Sequence, residues 1–471
     1  LSFWDRTAAH VVILLGVAAL TLLPLLGEVR YVDGREARHA KIAQTMLETG
    51  TYSVPYVNGK PYIDKPPLFN WAQALFYSLA GGASAASFLL ARLPSVLCAV
   101  LALLCVYALG CRWLSARAGF LSALIWITSF LVVQWAHFAR PDVMLAALVV
   151  LAVLLADLAA TAGPGWRRMG WWCAAAVMLG AATLSKGPQS LFFWIVPVAA
   201  LWPARGGRRI PPLALLGLAL AIVGIMAAAW LLRAEHLHPG HFRELTGYQF
   251  GEGLVEHPKR ITLCLDEVFA KTLPWSIFIF GAFYWSVRKA RREGYSAALV
   301  PALTVAVCLI ALTILPNKRA HYLLPVAPFW ALLLGMFLDR ALACRLEGGR
   351  EPCGLGLKGW TFEWPLGVCL GLLALGCAAT AYYLRNRLHG YGLAAVVYFS
   401  LLALLSAAGL YSLLKGRARR AFVVFCALCV LVLASVNVVS TLYAPPGVSE
   451  RALVLSSSGP MPELLKDDGD E

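Results

Sequence analysis

Six short runs in this chain gather carboxylates, cations and helix-breaking residues: Asp33-Gly34-Arg35-Glu36, Asp64-Lys65-Pro66-Pro67, Arg140-Pro141-Asp142, Lys186-Gly187-Pro188, Glu256-His257-Pro258-Lys259-Arg260 and Lys318-Arg319-Ala320-His321-Tyr322. Carboxylates of this kind suit proton transfer from a hydroxyl, and the cations suit an electrostatic hold on an anion such as phosphate. Each run also has a structural reading. Asp33 and Glu36, spaced Asp-x-x-Glu at a helix start, form a capping box that satisfies free backbone donors. Both readings stand together if Glu36 is structural and Asp33 is the base. Lys65 opposes the dipole of the helix it precedes, which is costly for structure, but a lysine with free N–H groups at a helix N-terminus makes an anion site. Asp64 as a simple neutraliser of Lys65 is the alternative. Arg140 and Asp142 either cap a helix as an ion pair or serve a function at the membrane boundary, and Lys186 either snorkels to headgroups or meets an anion.

The elements that carry these runs are membrane helices. Hydrophobic residues make up 60% of the chain and charged ones only 14%, and mean hydropathy is +0.71, a composition that soluble domains do not reach. Apolar runs of roughly 18–24 residues recur along the whole length, and a bilayer core demands that length of a helix. The expected fold class is therefore an all-α polytopic membrane protein with about thirteen spans, near 9–27, 86–110, 119–137, 142–160, 170–185, 188–203, 211–233, 272–287, 298–315, 322–338, 364–384, 391–414 and 421–443. The formal net charge of +15 does not point to nucleic acid, because the basic residues cluster in alternate short loops: Arg112 with Arg117, Arg167-Arg168, Arg205 with Arg208-Arg209, Arg288 to Arg292, Arg340 to Arg350 and Lys415 to Arg420. Cytoplasmic loops carry such an excess, so the N-terminus is expected in the cytoplasm of a multi-pass plasma (inner) membrane protein, with the functional runs on the opposite, periplasmic or extracellular face. The Lys318–Tyr322 run breaks that rule, and a lipid phosphate would explain why. The first span shows no cleavage site and reads as an anchor. The twelve cysteines read as small buried side chains, even Cys426 with Cys429, whose metal-like spacing falls in an apolar helix.

Along the chain, residues 1–340 read as a catalytic transmembrane region containing two large outer loops, 28–85 and 234–271. In the first, 34–49 reads as an interfacial helix with Ala40, Ala43 and Leu47 on its apolar face; Asn58-Gly59 marks a turn, and Pro66-Pro67 opens a second short helix to about 80. A cytoplasmic linker follows at 341–363, then trailing spans over 364–443 and a short polar outer tail, 444–471. His236, His238, His241 and His257 fit no standard zinc spacing. The sequence requires no cofactor and shows no phosphate-binding Gly-rich loop; a divalent metal, if bound, falls to Asp64 and His257.

The stretch Asp33-Gly34-Arg35-Glu36-Ala37-Arg38-His39-Ala40, followed by Val57-Asn58-Gly59-Lys60-Pro61-Tyr62-Ile63-Asp64-Lys65-Pro66-Pro67-Leu68, resembles the first outer loop of bacterial GT-C membrane glycosyltransferases, the aminoarabinose transferases of lipid A and the related protein O-mannosyltransferase-like (PMT) enzymes. Arg140-Pro141-Asp142, Lys186-Gly187-Pro188, His257-Pro258-Lys259, Leu273-Pro274-Trp275 and Lys318-Arg319 through Pro325 follow in the family's order, so that the resemblance covers roughly residues 5–340. It implies the GT-C fold, a donor of one sugar on a polyprenyl phosphate, and a periplasmic active site. It also implies that Asp33 is the leading catalytic carboxylate with Glu36 and Asp142 as acidic partners, and that Lys65 holds the donor phosphate opposite Lys318, Arg319 and Tyr322; Arg140 and Lys186 join them as further donor-phosphate ligands. Two departures bear on the acceptor: the first-loop acids are not adjacent here, and Asp64 stands where many members carry Glu.

The expected function is transfer of a single sugar from a polyprenyl-phosphate donor to a lipid A-like lipid, protein or glycan on the outer face, with inversion. The partners are then the lipid-linked donor, that acceptor and membrane lipids. A carrier or flippase for polyprenyl-linked sugars is the rival; it would use the same cations without chemistry, but no internal repeat is evident.

Overall fold

A chain in lipid has to satisfy its backbone polar groups within each segment, and this one does so with helices. The computed structural model describes residues 7–28, 34–62, 65–206, 213–247, 262–315, 318–346, 359–385 and 392–443. Eighteen α-helices run through them. The first half contains α1 (Thr7–Leu22), α2 (Gly34–Thr49), α3 (Leu68–Leu79), α4 (Phe88–Trp113), α5 (Ala116–Ile127), α6 (Phe130–Ala136), α7 (Asp142–Thr161), α8 (Trp166–Lys186) and α9 (Gln189–Ala204). The second contains α10 (Leu213–Leu237), α11 (His241–Gly247), α12 (Leu263–Lys271), α13 (Ile279–Glu293), α14 (Val300–Ile314), α15 (Ala327–Leu346), α16 (Gly359–Leu384), α17 (Gly392–Leu414) and α18 (Ala418–Tyr443). Among the described residues seven helices are long and apolar enough to cross a membrane, or eight if the bent pair α5 and α6 forms one span; α1 and α9 are apolar but shorter. The protein is a multi-pass membrane protein. Each of the thirteen expected spans overlaps a helical segment, although α1 stops at Leu22, α15 starts only at Ala327, and α13 ends in Arg288, Lys289, Arg291 and Arg292 and is amphipathic.

Two expectations change. The span read at 119–137 is not one rod: α5 and α6 meet at a bend of 57°. At the break the hydroxyls of Thr128 and Ser129 donate back to the carbonyls of Leu124 (2.5 Å) and Ile125 (2.6 Å), and the indole of Trp275 donates to Thr128 Oγ1 (3.0 Å). Such side-chain competition for backbone carbonyls bends helices. The second change is α2. Its bounds match the sequence reading, but it does not lie on a surface. Ala37, Ala40 and Ala43 pack with Ala74 and Tyr77 of α3, Phe88 and Ala91 of α4, and Ala139. His39, Lys41 and Gln44 are buried as well, with Lys41 Nζ donating to Gln44 Oε1 (3.1 Å). The hairpin between α2 and α3 is as the sequence dictates. Asn58 and Gly59 both take positive φ, the requirement of a two-residue hairpin turn, and pair Val57 with Lys60.

The bundle centre is made by α4, α5, α7 and α15. Close approach there needs residues without side chains. A Cβ on Gly110 of α4 would lie 2.5 Å from Gly119 Cα of α5, and one on Gly335 of α15 would lie 2.6 Å from Ser122 Cα of α5. At one end of the bundle, Arg112 and Arg205 (2.7 Å) both pair with the buried Asp157 of α7, and Arg117 pairs with Asp339 of α15. The other end carries the remaining charged cluster.

Candidate active site

Asp142 opens α7, where the helix N-terminus favours a carboxylate. Its side chain is 2% exposed; Oδ1 pairs with Lys186 Nζ at the end of α8 and lies 4.0 Å from His321 Nε2, and Oδ2 lies 3.4 Å from Arg140 Nε. Each partner is placed by a local device. Lys186 is delivered by the sharp turn into α9, where Gly187 takes φ +115° and Pro188 precedes the first helical residue. Arg140 is delivered by the α6–α7 turn, whose Phe138 carbonyl accepts from Arg140 N (2.9 Å) and from Ser95 Oγ of α4 (2.8 Å). The guanidinium of Arg140 lies 4.6 Å over the Trp135 ring, and that ring is 5.1 Å from the His321 imidazole.

The run from 318 to 322 folds into this place from far along the sequence. Lys186 Nζ sits 5.2 Å over the ring of Tyr322, and Arg319, Asp142, Arg35 and Arg140 all lie close enough for their charges to act on the Tyr322 phenol, which burial pushes up and Arg319 draws back down. Burial likewise holds the His321 imidazole well below its ordinary value; the Asp142 charge opposes this while Lys186, Arg140 and Arg319 reinforce it. The site thus presents a neutral imidazole and several cations around one carboxylate. Lys318 is buried, and its charge also acts on the Cys264 thiol of α12. Lys65 is half-buried just before α3, and Leu68 and Trp71 pack beside Leu184, two residues before Lys186.

Glu36 is fully buried and its oxygens are occupied. Arg92 of α4 donates Nε to Oε1 (2.7 Å) and a second nitrogen to Oε2 (3.1 Å), and Ala139 N also donates to Oε1 (2.8 Å). The same guanidinium donates to the carbonyls of Leu26 (2.8 Å) and Glu28 (2.9 Å). One arginine therefore ties the end of the first helix segment, the start of α2 and the turn that presents Arg140. His39, one turn after Glu36, is buried against Phe69 and Tyr62 and meets Asn70 at 3.2 Å; burial, with the Arg140 charge, lowers its pKa to about 3.

Asp33, Asp64 and His257 lie outside the described residues. Among the described residues no group of three or more His, Cys, Asp or Glu side chains is placed to hold a metal ion. Sequence reading missed Arg92, although an arginine inside an apolar stretch is a signal by itself. It also named His321 only as part of a basic run, and it did not single out Trp135 or His39.

The family described as dolichyl-phosphate-mannose-protein mannosyltransferase matches residues 64–230. An undecaprenyl phosphate-alpha-4-amino-4-deoxy-L-arabinose arabinosyl transferase of Pseudomonas fluorescens is 27% identical over 373 residues, 77% of this chain and 64% of that protein. The corresponding enzyme of Pectobacterium atrosepticum is 28% identical over 79% of this chain and 66% of its own length. The chain thus spans a little under two thirds of these relatives. Two crystal structures of ArnT from Cupriavidus metallidurans, one in the apo state and one bound to undecaprenyl phosphate, superpose with TM-scores of 0.69 and 0.68 at 20% identity, covering 93% and 95% of this chain and 77% of each ArnT chain. That likeness establishes the fold. In sequence and in helical architecture together, the chain is similar to bacterial aminoarabinose transferases and, over residues 64–230, to the dolichyl-phosphate-mannose-protein mannosyltransferase family.

Proposed function

We propose that the protein moves a single sugar from a polyprenyl-phosphate-linked donor to an acceptor on the outer face of the membrane, with inversion at the anomeric carbon. The observation that carries the reading is the meeting of Arg140, Lys186 and Arg319 with Tyr322 around Asp142, from three separate segments of the chain. Fixed cations of this kind stabilise a phosphate as it becomes the leaving group. The curated relatives are named for undecaprenyl phosphate-linked aminoarabinose, and one ArnT structure holds undecaprenyl phosphate. In this reading Lys65, Arg140, Lys186, Lys318, Arg319 and Tyr322 hold the donor phosphate, and Asp33 takes the proton from the acceptor hydroxyl. The acceptor oxygen attacks the anomeric carbon, and the bond from that carbon to the phosphate oxygen breaks. Asp142 keeps the cations in place, and Glu36, fixed by Arg92, anchors the start of α2. The acceptor is a lipid A-like lipid, a protein or a glycan. The site belongs to residues 1–340, with the helices of 364–443 as support. Its end of the bundle is the periplasmic one, because the opposite end carries the basic loops.

Reconstituted protein supplied with a radiolabelled sugar on polyprenyl phosphate should transfer label to the acceptor. Asp33→Asn should abolish transfer while donor binding survives, since the substitution keeps size and some capping ability but removes the base. Normal turnover of that variant would overturn the assignment. Movement of the intact donor across the bilayer without transfer would identify a flippase instead.

A further inference from the structure

At the bundle end opposite the Asp142 cluster, α1, α5, α15 and α18 line a partly open cavity of about 230 Å³. A single water needs only about 10–15 Å³ measured in this way, so the space is not a packing defect. Its depth is apolar, walled by Val17, Leu124, Phe422, Cys426 and Val430, and two arginines, Arg117 and Arg419, line it where α5 and α18 begin. Among the described residues the charges beside this cavity do not cancel. Arg117 pairs with Asp339, and Arg340 lies 3.9 Å from the other oxygen of that carboxylate, so two guanidiniums share one acid. Arg419 is exposed and pairs with no carboxylate among the described residues, and Lys415, Arg417 and Arg420 stand exposed beside it.

A hydrocarbon slot whose rim carries Arg117, which shares Asp339 with Arg340, and Arg419, which has no carboxylate partner among the described residues, matches an amphiphile with a negative headgroup. Basic pockets between membrane helices take up anionic lipid headgroups in this manner. We propose that this slot binds an anionic phospholipid from the leaflet that faces the basic loops, its phosphate at Arg419 and Arg117 and one acyl chain between α5 and α18. A zwitterionic lipid has the same chain but gains little from the arginines. The site is separate from the Asp142 cluster, so it stands whether or not the transfer reading does.

The test is lipid retention by the purified full-length protein, read by native mass spectrometry after titration with phosphatidylglycerol or phosphatidylcholine of equal chain length. One phosphatidylglycerol per protein should be retained in preference to phosphatidylcholine. Arg419→Gln, a change at an exposed side chain, should reduce that retention about five-fold. Ala427→Trp, which fills the slot from α18, should reduce retention of both lipids, with the thermal transition showing that the variant is folded. Equal retention of the two lipids by the unmodified protein would overturn the proposal. So would a phosphatidylglycerol preference that survives Arg419→Gln.

Discussion

Asp142 and Lys186 are buried together, and neither charge is tolerable there alone. Asp142→Leu would leave Lys186 and Arg140 facing a site with no counter-charge, at a cost of about 3–5 kcal/mol. Folded yield and the thermal midpoint of the solubilised protein should fall accordingly. Adding Lys186→Met should restore much of that loss, because removing both charges is far cheaper than removing one. Donor binding should stay lost in the double variant, since a phosphate ligand has gone. The two histidines give a pH dependence whose sign follows from burial. His39 and His321 are held neutral in the fold, while the unfolded chain takes up protons near the ordinary value of 6.5. Below that value the unfolded state binds more protons, so stability is fully present above about pH 6.5 and declines as pH falls toward the folded value. The thermal midpoint should drop between about pH 6.5 and 4 in the unmodified protein, and His39→Gln should flatten part of that slope. At this scale the sequence made Arg140, Asp142, Lys186, Arg319 and Tyr322 visible, because ionisable groups are conspicuous in so apolar a chain. It could not give their pairings: nothing in local spacing says that Lys186 reaches Asp142 across 44 positions.

Helices were legible as helices, since an apolar run of sufficient length has few other options in lipid. Their interruptions and contacts were not. The bend between α5 and α6 depends on two hydroxyls and on an indole almost 150 residues away, and α2 is enclosed because α3 and α4 close over its polar side as well as its alanines. The contact between α5 and α15 is the sharpest demand at this scale. Gly335→Ala would set a methyl 2.4 Å from Ser122 N and 2.6 Å from its Cα, both backbone atoms that cannot swing aside. The helices would have to separate, with a loss on the order of 1–3 kcal/mol. Gly376→Ala on α16, where a methyl meets open space, is the matched control. Comparable thermal midpoints for the two variants would show that the crossing is looser than the geometry implies.

For the whole molecule, the charged groups sort to two ends: Arg140, Asp142, Lys186, Arg319 and Glu36 at one, and Arg112, Arg117, Asp157, Arg205 and Asp339 at the other. The proposed orientation makes the first end periplasmic. Membrane-impermeant thiol reagents should therefore reach cysteines introduced at 55–60 in intact cells and miss those introduced at 290 and 417. Labelling at 290 from outside would reverse the orientation. One helix joins the two ends. Asp142 and Asp157 lie 15 residues apart on α7, roughly 22 Å along its axis; Lys186 of α8 grips the first, and Arg112 of α4 with Arg205 beside α9 grips the second. In mechanical terms α7 is a strut pinned at both ends: a slide of one turn would pull a buried carboxylate from its partners at each end at once. Whatever yields when a long lipid or a bulky acceptor comes and goes must be something other than α7.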